Sequence, residues 1–231
     1  MRFASLLACL CVAFAAGAAD KRETRAAGSF NAIGLKAPIT VYLTQGDNES
    51  VVVEGDEAAL AQLDTMVENG SLKFEQKTRD HVRLMGKVKA YVTTREIRAL
   101  AISGAGDIRA EALRAGDVKL AIAGSGDIRI AQLTAAKVEA SIGGSGNITV
   151  AGKADSIQGS IGGSGDLRAG RLEVGDAKVS VAGSGDATLW PRESLTASVA
   201  GSGDIRYYGD PKVRTSVIGS GSVKRMGATP S

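Results

Sequence analysis

The feature that most constrains this chain is a four-residue motif, Gly-Ser-Gly-Asp or a close variant, that recurs seven times. Its copies start 18–20 residues apart, at Gly104, Gly124, Gly144, Gly163, Gly183, Gly201 and Gly219. A constant period near 20 residues is typical of a solenoid, in which each repeat is one coil that buries its apolar face only against neighbouring coils. The repeat therefore predicts a one-dimensional stack of coils.

Columns of equivalent residues around the motif predict the structure of each coil. Two residues before the first glycine, every position is β-branched: Ile102, Ile122, Ile142, Ile161, Val181, Val199 and Val217. The segment Val118–Ile122 alternates apolar and other residues, which is the period of a strand. A second apolar column follows the motif from Ile108 onward, and a third segment around Leu113, Leu133 and Leu172 closes the coil. We therefore predict an all-β fold, a parallel β-helix or β-solenoid of about seven 18–20-residue coils.

The sequence before the repeats predicts a β-rich cap with one short helix, which would cover an end of the stack. Its predicted strands are Ile39–Leu43, Val51–Glu54, Leu72–Phe74 and Val88–Val92, with a turn at residues 45–49. The predicted helix runs from an N-cap at Asp56 to Val67, before an Asn69-Gly70 stop. We place a signal peptide at 1–19, the cap at 20–97, the repeats at 98–226 in one continuous domain with the cap, and a tail at 227–231.

The first residues have the pattern of an export signal. Arg2 precedes the apolar residues 6–16, and Ala16-Gly17-Ala18 is a small-residue cleavage site. We expect an exported protein that is periplasmic, on the cell surface or extracellular, with no transmembrane segment in the mature chain. Both cysteines lie inside the signal, so the mature fold does without disulfides. A net charge of +3 on 231 residues gives no electrostatic footprint for nucleic acid.

The aspartates at the end of the motif form the sharpest candidate constellation: Asp107, Asp127, Asp166, Asp186 and Asp204, with Asn147 in the third coil. One interpretation is a ladder of oxygen ligands for calcium. The other is turn chemistry, in which each aspartate bonds neighbouring N–H groups in an Asx-type turn and the glycines supply positive φ. Basic residues two positions later would offset the like charges: Arg109, Arg129, Arg168, Arg206 and Lys224. We favour the turn role and predict no metal, no cofactor and no catalytic residue.

Two further surfaces are candidates for binding. The residues flanking the β-branched column are small and are predicted to face outward, from Ala101 and Ser103 to Ser198 and Ala200. They form either a flat docking face or a tightly packed flank. The aromatics Trp190, Tyr207 and Tyr208 either stack on sugar rings or plug the C-terminal end. His81, the only histidine, lies in a polar stretch and is predicted to be a surface residue.

Several segments together resemble a known family. They are Phe30-Asn-Ala-Ile33-Gly-Leu, Val41-Tyr-Leu-Thr-Gln-Gly-Asp47, Asn69-Gly70-Ser-Leu72 and the repeated corners. Over about residues 25–225 the chain resembles the "putative auto-transporter adhesin, head GIN domain" family, once known only as a domain of unknown function. The resemblance implies a right-handed β-helix-like fold, export and an adhesin function by analogy. It supplies no catalytic or ligand residues.

These observations lead to one functional expectation and two alternatives. We expect an exported, non-enzymatic β-helix binding or adhesion module of the cell envelope, whose partner is an envelope polymer or protein and not nucleic acid. The first alternative is a structural or self-associating envelope protein. The second is a polysaccharide-active β-helix enzyme that uses acids and bases on an outer face, since fold alone does not decide function.

Overall fold

A computed structural model describes residues 20–77 and 87–230, and it confirms the β-solenoid, with about 67% of the chain in strands. The solenoid has about six turns where the sequence predicted about seven. The difference arises because seven corners enclose six full intervals, and only the short last strand follows the seventh corner. The predicted signal peptide, His81 and the final Ser231 lie outside the described residues.

Strands follow one another through the described chain with a single helix among them. In chain order the elements are β1 Lys21–Thr24, β2 Ala32–Leu35, β3 Thr40–Gln45, β4 Ser50–Gly55, α1 Glu57–Ala61, β5 Leu63–Glu68, β6 Ser71–Gln76, β7 Lys89–Thr94, β8 Ala99–Ile102, β9 Asp107–Ile122, β10 Ile128–Ile142, β11 Ile148–Ile161, β12 Leu167–Gly183, β13 Ala187–Gly201, β14 Ile205–Tyr208, β15 Lys212–Gly219 and β16 Val223–Gly227.

The long strands β9 to β13 stack in parallel and keep the register of the sequence repeat. Ile142 of β10 lies between Ile122 of β9 and Ile161 of β11, so the β-branched column forms a continuous inward ladder. All members of this column are buried except Val217 in the last coil. Leu113, Leu133 and Leu172 are buried as well. The predicted apolar columns are therefore confirmed, and burial of their aliphatic side chains is the main term that stabilises the stack.

The corner glycines are required by close approach between coils rather than by positive φ. A Cβ atom on Gly126 would lie 1.8 Å from the carbonyl oxygen of Gly106, and one on Gly146 would lie 2.0 Å from that of Gly126. Among the first glycines of the motif, only Gly183, Gly201 and Gly219 have positive φ. The expectation of positive φ at every corner was wrong, because the corner backbones stack directly on one another and leave no room for a side chain.

The N-terminal cap confirms the predicted strands and corrects the predicted helix. The helix α1 ends at Ala61, and the rest of the predicted helical segment forms β5, which pairs with β6 in an antiparallel hairpin. Asn69 and Gly70 have φ values of 51° and 73°, as in a hairpin turn with both central residues left-handed. The apolar residues of this segment fit the period of a helix as well as that of a strand. Pairing with β6 at the edge of the solenoid favours the strand.

The two ends of the stack differ. At the N-terminal end β1 and β5 pair antiparallel with their neighbours, and Ala59 and Leu60 of α1 are buried. At the C-terminal end every residue of β15 is exposed. The exposed large apolar residues of the described chain all lie there: Val213, Val217, Ile218 and Met226.

Candidate functional site

The motif aspartates join successive coils. The Oδ1 atom of Asp107 accepts the backbone N–H of Asp127 at 3.2 Å, and Oδ1 of Asp127 accepts the backbone N–H of Asn147 at 3.0 Å. The same contact recurs through Asn147, Asp166, Asp186 and Asp204. The predicted local Asx-type turn was therefore wrong about the donor. The donor belongs to the next coil, 18–20 residues ahead, because stacking brings it closer than any neighbour in sequence.

The second carboxylate oxygen of each aspartate holds an arginine. Nη2 of Arg109, Arg129 and Arg168 donates to Oδ2 of the aspartate two residues earlier, at 3.1, 2.9 and 3.0 Å. Arg206 bridges Asp186 and Asp204 with its two terminal nitrogens. This confirms the charge compensation expected from the sequence for the four arginines. Each carboxylate thus receives a backbone N–H on one oxygen and a guanidinium on the other.

These contacts also bear on the calcium interpretation. Within residues 20–77 and 87–230, no group of three or more His, Cys, Asp or Glu side chains is placed to hold a metal ion. The oxygens of the aspartate ladder are aimed at N–H donors, and successive carboxylates belong to different coils. That these aspartates bind no metal remains a prediction from the sequence.

The surroundings of two aspartates lower their pKa. Burial by itself would raise the pKa of Asp127, but hydrogen bonds from the side chain and backbone of Asn147, together with the guanidinium of Arg129, outweigh it. The pKa of Asp204 is lowered chiefly by the hydroxyl of Ser222, against a smaller opposing effect of burial. In both cases the surroundings favour the ionised form of the carboxylate.

Replacing Asp127 by alanine should lower the free energy of unfolding by about 2 kcal/mol, because it leaves the partly buried backbone N–H of Asn147 without its acceptor. Asp127→Asn should cost less, since the chain itself uses asparagine in this role at Asn147. Urea unfolding followed by circular dichroism measures both. Asp117→Ala, at an exposed position of β9, is the control and should change stability by less than about 0.5 kcal/mol. Equal losses for Asp117→Ala and Asp127→Ala would contradict a role in joining coils.

Acid should remove the advantage of aspartate over asparagine at position 127. Because the folded-state pKa of Asp127 lies below its unfolded value of about 3.9, ionisation stabilises the fold above that pH. This contribution is lost as the pH falls through the folded pKa. The stability difference between the wild type and Asp127→Asn should therefore be constant from pH 7 to 5 and shrink below about pH 4. A difference that stays the same down to pH 2 would show that the charge is irrelevant.

A shallow groove of about 740 Å³ runs along the arginine side of the solenoid. We call it the arginine groove. It is lined by Arg109, Glu111, Arg129, Thr149, Arg168, Arg171, Thr188 and Tyr208, over small or apolar residues that include Ala131, Val150 and Gly170. Strand register aligns the column Arg109, Arg129, Thr149, Arg168, Thr188, Arg206 and Lys224 along the axis. The aspartate ladder fixes three of the four arginines that line this groove, Arg109, Arg129 and Arg168.

The same column continues into the N-terminal cap, which the sequence reasoning missed. Tyr42 of β3 pairs with Arg109 and with Tyr91 of β7. The two tyrosine rings stack with centroids 5.4 Å apart, and the guanidinium of Arg22 lies 5.7 Å from the centre of the Tyr91 ring. The alternation Val41-Tyr42-Leu43 is a local signal that Tyr42 faces away from the core, where Val41 and Leu43 are buried. It gave no sign that β3 would stack on β9.

The small-residue flank lies on another side of the coil. Register aligns Ala121, Ser141, Ser160, Ser180 and Ser198. These residues are exposed or half-buried, and so are the small residues two positions later in each coil. The predicted outward orientation is confirmed. A binding role for this flank stays a prediction.

The three aromatics of the late repeats have different surroundings. Tyr208 lines the arginine groove, whereas Tyr207 is half-buried and packs against the core. Trp190 is half-buried on β13, and its indole N–H is buried without an acceptor in the described part of the chain. Of the three, the groove includes only Tyr208. Whether these residues stack on sugars or plug the end stays a prediction.

The fold and the corner chemistry define the chain as a parallel β-solenoid with one stacked glycine–aspartate corner per coil. The chain belongs to the family described as "putative auto-transporter adhesin, head GIN domain", whose profile matches residues 29–211. The resemblance seen in the sequence is thereby confirmed.

Solved structures of similar proteins agree with this assignment. A putative adhesin from Bacteroides fragilis superposes with a TM-score of 0.84 at 26% identity, covering 90% of this chain and 97% of that one. A putative adhesin from Parabacteroides distasonis has a TM-score of 0.69 at 26% identity, with the same coverage. A protein from Parabacteroides distasonis named as a putative lipid binding protein, at 23% identity and a TM-score of 0.73, shares the fold. No curated protein matches the chain. In the described residues, no helix has the length and apolarity needed to span a membrane.

Proposed function

We propose that the chain is an exported, non-enzymatic binding module of the adhesion type, and that the arginine groove is its recognition surface. The family and the similar structures from Bacteroides fragilis and Parabacteroides distasonis carry adhesin names, which supports the type of function. The export pattern of residues 1–19 supports a location in or beyond the envelope. The partner is an envelope or surface component.

The observation that carries this proposal is a row of preorganised donors. Arg109, Arg129 and Arg168 each donate one of their five N–H groups to an aspartate. That aspartate is held in turn by a backbone N–H of the next coil. A side chain that is already held loses less conformational entropy when a ligand binds. The groove lies beside these arginines, so their remaining donors are available to an extended partner.

Two aspartates of the ladder, Asp127 and Asp204, are poorly suited to act as the acid in glycan cleavage. A glycosidase needs a carboxyl group that is protonated at working pH to act as general acid. Asp127 and Asp204 instead have lowered pKa values, because N–H, hydroxyl and guanidinium donors stabilise the carboxylate form. Their chemistry favours a structural and binding role over catalysis.

The proposal is tested with the full chain expressed for export. Its recovery from the periplasm, surface or medium tests the localisation, and capture by an envelope preparation tests binding. The triple variant Arg109→Ala, Arg129→Ala, Arg168→Ala should weaken capture at least about tenfold. The fold should survive, because exposed ion pairs contribute little to stability, and thermal unfolding checks this.

A matched variant removes three cations from the other side of the solenoid. Lys119→Ala, Lys137→Ala, Lys178→Ala changes the net charge equally, at positions on the small-residue side. It should bind like the wild type. Equal capture of the wild type and the arginine variant would remove the groove as the recognition surface, and recovery of the wild type only from the cytoplasm would refute export.

A further inference from the structure

We infer that the arginine groove binds a linear, hydroxyl-rich polysaccharide that lies along the solenoid axis, with one sugar unit opposite each coil. The inference rests on the proposed function and adds the ligand class. Three properties of the groove support it: its repeat distance, its balance of donors and acceptors, and its small-residue floor.

The repeat distance suits an extended sugar chain. Neighbouring positions of the column are separated by the interstrand spacing of a sheet, about 4.8 Å. This is close to the length of one pyranose unit in an extended chain. Five consecutive column positions line the groove, namely Arg109, Arg129, Thr149, Arg168 and Thr188. A polymer with one unit per coil therefore meets one polar side chain of the column, an arginine or a threonine, at each step.

The charges of the groove favour hydroxyl groups over a polyanion. The groove contains four arginines and one acid, Glu111, and Arg109, Arg129 and Arg168 each form an ion pair with an aspartate of the ladder. The four positive charges are thus matched by four carboxylates, so the local field is nearly balanced. Arginines donate, carboxylates accept, and threonine hydroxyls do both. Sugar hydroxyls both donate and accept hydrogen bonds, so they can pair with the donors and with the acceptors of the groove.

The floor of the groove allows close approach of a sugar ring. Ala131, Ala151 and Gly170 leave the centre of the groove shallow and without large side chains. The ring of Tyr208 lies beside Gly170, with Cε2 3.4 Å from the position that a Cβ atom would take there. An aromatic ring beside a small-residue floor offers the apolar face of a sugar a stacking surface with a polar hydroxyl at its end.

The experiment measures binding of the full exported chain to soluble β-1,4-linked glucan, mannan and xylan oligosaccharides of two to eight units, by titration calorimetry. A polyuronate and vesicles of anionic phospholipid serve as charged comparisons. We expect at least one neutral series to bind, with an affinity that rises with length and levels off at about five units, one per lining column position. Raising the salt concentration should change the Kd less than about twofold, because screening acts on charged partners.

Two variants separate glycan recognition from simple charge attraction. Arg129→Lys keeps the charge but loses the planar fork of donors, and should weaken glycan binding roughly tenfold. Tyr208→Ala should also weaken it roughly tenfold. The control Lys178→Ala, on the small-residue side, should leave the Kd unchanged. The unfolding midpoint of each variant is compared with that of the wild type.

The outcomes distinguish this inference from the proposed function. Capture of the wild type by envelope material together with failure of all three neutral series would overturn the glycan inference and leave the binding module intact. Binding only to the polyuronate or the vesicles, lost in salt and retained by Arg129→Lys, would also overturn it and assign the groove to anions. Glycan binding that is unaffected by Arg129→Lys and Tyr208→Ala would place the sugar outside the groove.

Discussion

Replacing Gly126 by alanine should lower the free energy of unfolding by at least about 4 kcal/mol, or prevent the chain from folding. The added Cβ would lie 1.8 Å from the carbonyl oxygen of Gly106 and 3.1 Å from the Cγ2 atom of Ile102. The first contact is with backbone that is fixed in the preceding corner, so no rotamer change can relieve it. The coils would have to separate at this corner, which would break the hydrogen bond from the backbone N–H of Asp127 to Asp107.

The same substitution at Gly116, a glycine of β9, provides a matched control. A Cβ on Gly116 meets nothing within 4 Å, and no left-handed φ strains this position. Gly116→Ala should therefore change stability by less than about 1 kcal/mol, with a slight gain expected from a less flexible unfolded chain. Urea unfolding of both variants, followed by circular dichroism, gives the comparison. A Gly126→Ala protein as stable as Gly116→Ala would refute close corner stacking.

Ile142→Ala should cost about 3–4 kcal/mol, the range for removing a large aliphatic side chain from a packed core. Ile142 is buried and sits in the inward column between Ile122 and Ile161. Its Cγ2 atom lies 2.9 Å from where a Cβ on Gly165 would be, so it also fills the space beside the next corner. Surrounding coils are held by their own hydrogen bonds and cannot collapse fully into the vacated volume.

The same column contains its own control in the last coil. Val217 occupies the equivalent position but is 43% exposed, because no coil covers β15. Val217→Ala should cost less than about 1 kcal/mol, since little apolar area returns to water. Guanidinium unfolding curves of the two variants measure the contrast. Similar losses at both positions would show that stability does not depend on the neighbours above and below a coil.

Stability and recognition share one set of contacts in this molecule. The carboxylate of Asp127 joins two coils through the backbone N–H of Asn147 and orients Arg129 at the groove. Variants of the aspartate ladder should therefore affect both unfolding and binding, whereas variants of the arginines should affect binding alone. The effects differ because the carboxylate contacts both the backbone of the next coil and the guanidinium, whereas the guanidinium donates, within the described residues, only to the carboxylate.

The sequence by itself determined the solenoid, its inward columns and the place of its corners. Each coil repeats the same local pattern, so the orientation of Ile122 or Leu133 could be inferred from alternation along one strand. The family could be inferred for the same reason, because its motifs are contiguous segments such as Val41 to Asp47. A local pattern is enough to predict a contact wherever the partner is the equivalent residue of the next repeat.

Only the tertiary structure decided the features that depend on stacking between unlike segments. It placed Tyr42 and Tyr91 in line with Arg109, because β3 pairs with β7 and β9, which are distant in sequence. It made β5 a strand, because an edge was available to pair with it. It gave each motif aspartate a donor in the next coil and each corner glycine a carbonyl above it. These contacts depend on how the coils are stacked, and that arrangement exists only once the backbone hydrogen bonds between coils have formed.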